Sequence, residues 1–71
     1  MSHDDKWELA KSKEATPEIL DYLSNDKSVD IQRNVAKNPN TSSKTLDRLS
    51  HGDWTVRSGV VYNPNTSNET L

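Results

Sequence analysis

The quartet Asn-Pro-Asn-Thr occurs at 38–41 and again at 63–66. No other feature restricts the fold of this chain as much, because self-similarity at a period of about 20–50 residues marks a stack of small units that bury their apolar faces on one another. Thr16, Thr41 and Thr66 are spaced by 25 residues, as are Ile31 and Val56, Val35 and Val60, and the two Asn-Pro pairs. Leu20 to Leu46 and Leu23 to Leu49 are spaced by 26, which places a gain or loss of one residue between the threonine and its leucines. Residues 9–15, LAKSKEA, lie over 35–41, VAKNPNT, at an offset of 26, with Ser12 and Lys13 where Asn-Pro stands later. Such wear is expected of a terminal repeat that faces solvent. The chain therefore divides into a polar end at 1–8 and one repeat domain at 9–71: a half-repeat at 9–15, repeats at 16–40 and 41–65, and the start of another at 66–71.

Each unit reads as two helical segments. Thr16 is a good N-cap, Pro17 suits the first helical position, and Ile19, Leu20 and Leu23 form an apolar stripe behind them. Thr41 repeats the cap ahead of Leu46 and Leu49, and Thr66 with Glu69 has the form of a capping box. The second segment runs roughly from Val29 to Lys37 and again from Trp54 to Tyr62, the latter capped by Asp53. Ile31 and Val35 are its buried stripe in one copy, and Val56, Val60 and Val61 in the other, with Ala36 in the place of Val61. Proline after asparagine ends each of these helices, since it lacks an N–H and drives the preceding residue out of the helical region. Asn-Pro-Asn-Thr is thus a corner.

Composition narrows the function classes. Cysteine is absent, which excludes disulfides, Cys-zinc sites and thiol nucleophiles and fits a reducing, cytoplasmic setting. Nine basic residues are interspersed among eleven acidic ones, so the electrostatic footprint of nucleic-acid binding is missing. Val60 to Tyr62 is the longest apolar run, far below a membrane span, and the start MSHDDKW is acidic and polar where a signal peptide would be basic and then apolar. Apolar content of 30% with a net charge of −2 lies near the border of disorder, but the periodic clustering favours an ordered chain. Sequons at Asn40, Asn65 and Asn68 are expected by chance in so Asn/Ser/Thr-rich a chain.

DWTVRSGVVYNPNTSNETL at 53–71 resembles the leucine-rich repeat variant family, whose units follow Asp-Trp-x-Val-Arg-x-x-Val-Ala-x-Asn-Pro-x-Thr-Pro-x-x-x-Leu-x-x-Leu. Asp53, Trp54, Val56, Arg57, Val60, Asn63, Pro64, Thr66 and Leu71 fall on that pattern. So do Ile31, Val35, Ala36, Asn38, Pro39, Thr41, Leu46 and Leu49 in the preceding unit. Departures are Ser28 or Val29 in the tryptophan place, Arg33 two places after Ile31, and serine for the proline after Thr41 and Thr66. The resemblance implies an all-α, right-handed superhelical solenoid akin to ARM and HEAT stacks, in which α-helices alternate with short, often 3₁₀, helices and no β-sheet occurs. It implies a scaffold for other macromolecules and no reaction. Some members carry an iron–sulfur cluster on a separate cysteine-rich segment; this chain has no cysteine, so no cofactor or metal is carried over.

His3, Asp4 and Asp5 lack a second ligand set and read as a frayed, solvated end. In His51-Gly52-Asp53 the glycine marks a turn and the aspartate has a helix to cap. With two glycines in all, no phosphate loop or nucleophile elbow can be built, and catalysis is not expected. Candidate partner-binding residues are Trp7, Arg33, Lys37, Trp54, Arg57 and Tyr62. Trp54 is expected to pack between layers, whereas Trp7 would anchor a partner if exposed; Arg33, Lys37, Arg57 and Tyr62 would line one edge of the stack.

The expected function is non-enzymatic protein–protein interaction, with a partner the residues do not identify. Leu71 leaves the Trp54–Tyr62 layer incompletely covered, so that either another molecule caps it or the chain belongs to a longer array. Three other readings follow. One is a stand-alone bacterial or phage regulator or inhibitor of one macromolecule, and another is self-association through the open C-terminal face. Nucleic-acid binding is the third, and it requires Arg33, Lys37, Arg57 and Lys44 to share a face.

Overall fold

In a computed structural model of the chain, which describes residues 2–66, five helices follow one another and no strand is formed among the described residues. They are α1 (His3–Lys11), α2 (Pro17–Leu23), α3 (Val29–Lys37), α4 (Ser43–Leu49) and α5 (Trp54–Tyr62). α3 packs between α1 and α5; α2 bridges α1 and α3, and α4 bridges α3 and α5. The core runs through this row: Ala10 from α1, Leu20 and Leu23 from α2, Ile31, Val35 and Ala36 from α3, Leu46 and Leu49 from α4, and Val56 and Val60 from α5 are all buried.

Local chemistry sets the helix ends. Thr16 accepts a hydrogen bond from the Ile19 N–H, with Pro17 at the first position, and Asp53 accepts from the Thr55 N–H at 2.9 Å. The short helices α2 and α4 end at Ser24 and Ser50, whose hydroxyls donate back to the carbonyls of Asp21 at 2.6 Å and Asp47 at 2.5 Å. Both are α-helical rather than 3₁₀.

Three expectations are corrected. α1 begins at His3, so residues 3–8 belong to the fold and the division at 8/9 falls inside a helix. Ser2 caps it, and Lys6 reaches Asp26 at 2.8 Å while His3 reaches Asp30 at 3.2 Å, contacts that tie this end to the start of α3 and the connection before it. Ser42, not Thr41, caps α4; Thr41 is fully buried and its hydroxyl donates to the Val35 carbonyl at 2.6 Å. Thr16 therefore corresponds to Ser42, and buried Ala15 to Thr41, at the same offset of 26 as the leucines. The extra residue lies in the α2–α3 connection, 24–28, against 50–53 between α4 and α5. Val61, finally, is 55% exposed and lies outside the core, and Gly59 takes the buried place beside Ala36. Of the start expected at 66–71, Thr66 is described; Glu69 and Leu71 lie outside the described residues.

Ser28 gives α3 no side-chain cap, and Asp26 supplies one from two residues upstream by accepting from the Ser28 N–H at 2.9 Å. The Lys6 ammonium and that N–H together hold the Asp26 carboxyl down to about 2, and the pair raises Lys6 in turn. Asp26 thus binds its proton less readily folded than unfolded, so its contribution is complete above an unfolded value near 3.8 and is lost as pH falls toward 2. Thermal unfolding followed by circular dichroism is expected to give Asp26→Asn a lower midpoint than the parent at pH 7, with the gap closing between pH 4 and pH 2. A gap that does not change with pH would contradict this.

Candidate interaction surface

The two Asn-Pro-Asn-Thr corners do more than end helices. Asn38, 3% exposed, directs its amide nitrogen to the carbonyls of Ala10 at 2.9 Å and Ser12 at 2.8 Å, and its oxygen accepts the Asn40 N–H. Asn40 donates in turn to Lys13 at 2.8 Å and Ala15 at 3.1 Å. One corner later, Asn63 donates to Ala36 at 2.7 Å and Asn38 at 2.8 Å, and Asn65 to Pro39 and, at 3.0 Å, to Thr41. Each corner is hooked by side-chain amides onto the carbonyls of the one before. This also explains Asn40 and Asn65 without glycosylation, since their amide nitrogens are engaged in the fold; Asn68 lies outside the described residues.

α5 carries three of the five large hydrophobic side chains exposed among the described residues, Trp54, Val61 and Tyr62. Trp54 is 70% exposed and Tyr62 87%, in contrast to the packing role expected of Trp54. The reason is position: at about 100° per residue, Trp54 and Val61 lie within about 20° of each other, nearly opposite Val56, which takes the core. Arg57 and Ser58 flank them and are exposed, and Arg57 is the one charge on α5.

The other expected site residues do not join this face as one edge. Arg57 and Tyr62, five residues apart, diverge by about 140° around the helix. The stem of Lys37 lies against α5 beside Gly59, and Arg33 is half-buried on α3, with its Nε enclosed and without a hydrogen-bond partner among the described residues. Arg33 also faces Asp53, whose carboxyl is held below its ordinary value first by the Thr55 hydroxyl and N–H and further by this guanidinium. Trp7 is half-buried against the core under the Lys11 ammonium, 4.2 Å from its ring centroid. It is a packing residue.

Sequence reasoning did not find the open groove of about 660 Å³ between α2 and α4, where Lys44 lies beside Arg48 and apart from Arg33, Lys37 and Arg57. Its wall is structural: the Asp21 carboxylate accepts from Arg48 at 2.8 Å and from the Thr45 hydroxyl at 3.0 Å. His51 borders the groove and is exposed, while the nearby Asp53 carboxylate is committed to Thr55. Among the described residues no three His, Cys, Asp or Glu side chains gather to hold a metal ion, and no helix is long and apolar enough to cross a membrane. Comparison with protein families, with curated proteins and with solved structures finds no match.

Proposed function

We propose that the chain is a non-enzymatic protein-binding module, a short helical-repeat solenoid of the leucine-rich repeat variant kind, which meets its partner through the outer face of α5. One observation carries this reading: Val61 occupies the place of Ala36, and Ala36 is wholly buried by the helix stacked on it, whereas Val61 stands 55% exposed beside Trp54. Aromatic side chains exposed together on a rigid helix are the usual anchors of protein interfaces. A face with one cation lacks the run of basic groups that a phosphate backbone requires, so protein is favoured over nucleic acid. Absence of cysteine fits action in a reducing compartment.

Trp54→Ser with Tyr62→Ser tests the face. Both side chains are largely exposed, so the thermal midpoint is expected to stay within about 3 °C of the parent. Proteins cross-linked to the parent in cells should be lost from the double variant. An unchanged cross-linking pattern in a folded variant would overturn the reading.

A further inference from the structure

The corners depend on asparagine amides, and asparagine is chemically perishable. At neutral and alkaline pH the backbone nitrogen of the following residue loses its proton and attacks the side-chain Cγ. The Cγ–Nδ2 bond breaks, ammonia leaves, and a succinimide ring is formed. Water then opens the ring at either carbonyl, leaving aspartate or isoaspartate. At a hook, either product puts a carboxylate where the donor was. The reaction requires an N–H on the next residue.

Asn38 and Asn63 are each followed by proline, whose nitrogen has no proton to lose. A second reaction remains open to such a pair: Nδ2 loses a proton, bonds to the carbonyl carbon of its own residue, and the chain breaks with the proline nitrogen leaving as a new amino terminus. In the fold both hydrogens of the Asn38 amide are donated elsewhere, to Ala10 at 2.9 Å and Ser12 at 2.8 Å. Those of Asn63 go to Ala36 at 2.7 Å and Asn38 at 2.8 Å. Asn40 and Asn65 precede threonines, and the Thr41 and Thr66 N–H groups that would have to attack are turned onto the carbonyls of Asn38 and Asn63 at 3.1 Å.

We propose that the Asn-Pro-Asn-Thr corner is also a device for chemical durability, in which proline withholds the deamidating N–H, the hook bonds hold each amide away from its own carbonyl, and ageing falls on Asn25 instead. Asn25 is exposed just beyond α2, and its amide makes one bond, to the Asp21 carbonyl at 3.2 Å. The attacking nitrogen there belongs to Asp26, whose N–H is held by the Leu23 carbonyl at a helix end, where opening is easiest. Asn34, by contrast, lies within α3, half-buried and bonded to the Trp7 carbonyl at 3.1 Å. A carboxylate at 25 gives up a single exposed bond, whereas one at 38 gives up two that join successive corners. This inference is independent of the protein-binding reading.

The test is to store the folded full chain for weeks in mildly alkaline buffer and map its peptides by mass spectrometry, which reads each conversion as the gain of OH replacing NH₂. Conversion at Asn25 is expected, with Asn38, Asn40, Asn63 and Asn65 intact and the chain unbroken. Pro39→Gly restores the missing N–H at an exposed position. Stored alongside, it should gain aspartate and isoaspartate at 38 and lose helical circular dichroism with time, while Asn63, still followed by Pro64, stays intact. An Asn38 as durable in the folded variant as in the parent would overturn the proposal, and so would conversion at a hook before Asn25. Storage of the parent in guanidinium chloride removes the hooks and leaves the prolines, so it tests the device even if Pro39→Gly does not fold. There Asn40 and Asn65 should convert while Asn38 and Asn63 do not, and the chain should break before Pro39 and Pro64. Equal breakage in the folded and denatured parent, or conversion at Asn38 or Asn63 in either, would contradict it.

Discussion

Gly59→Val is expected to lower the stability of the chain by about 2–3 kcal/mol, an overpacking cost at a position with no room for a side chain. A Cβ at Gly59 would sit 3.0 Å from the Ala36 Cβ and 3.3 Å from the Lys37 Cγ, so even one methyl asks its neighbours to give by a few tenths of an ångström, and valine adds two more. The ordinary gain of about 1 kcal/mol from removing a helix-interior glycine is too small to offset this. Ala36→Gly alone should cost about 1 kcal/mol or more, through helix propensity and lost contact. In the double variant the two losses should fall short of their sum by about 1 kcal/mol or more, because glycine at 36 vacates the space that valine at 59 needs. Strictly additive losses in denaturant titrations would mean that the two helices do not meet at this pair.

Asn38→Asp should do more damage, though it exchanges only an NH₂ for an oxygen. Asn38 is buried, and its amide nitrogen is a donor to two carbonyls of the preceding corner. The substitution strips both carbonyls of their donor, at about 1–3 kcal/mol for each buried group, and sets a carboxylate against their oxygens. A loss of about 4 kcal/mol or more is expected, close to the whole stability of a domain this small. Asn38→Leu removes the donor without adding charge and should cost less, about 2–4 kcal/mol.

The sequence placed α3 and α5 because three of their four ends are written locally, by Asn-Pro after Lys37 and Tyr62 and by Asp53 before Trp54. Thr16-Pro17 fixed the start of α2 in the same way. The hooks were not legible. Their partners lie 24 to 28 residues away and are backbone carbonyls, which carry no residue signature. A repeated asparagine pair flanking proline was the available signal, and a helix stop explained only its first half. The register of α4 failed because Thr41 and Ser42 are both competent caps, and the choice was made by a buried bond from Thr41 to Val35. α1 was missed because its polar first turn is held by Asp26 and Asp30, neither of which is near it in sequence. For the candidate face, Trp54, Arg57 and Tyr62 were all named as candidate contacts and are exposed, although Trp54 was expected to pack between layers, and Val61 was assigned to the core. Their orientation depends on which side of α5 meets α3, and Gly59 decides that by permitting close approach where the valines would have competed.

The central claim is that asparagine amides tie each corner to the one before, and equilibrium denaturation of Asn38→Asp and Asn38→Leu beside the parent tests it most directly. The account predicts that Asn38→Leu unfolds at markedly lower denaturant, and that Asn38→Asp has little or no cooperative transition at 25 °C. Either variant within about 0.5 kcal/mol of the parent would contradict it, since that is the range of a surface residue without such bonds.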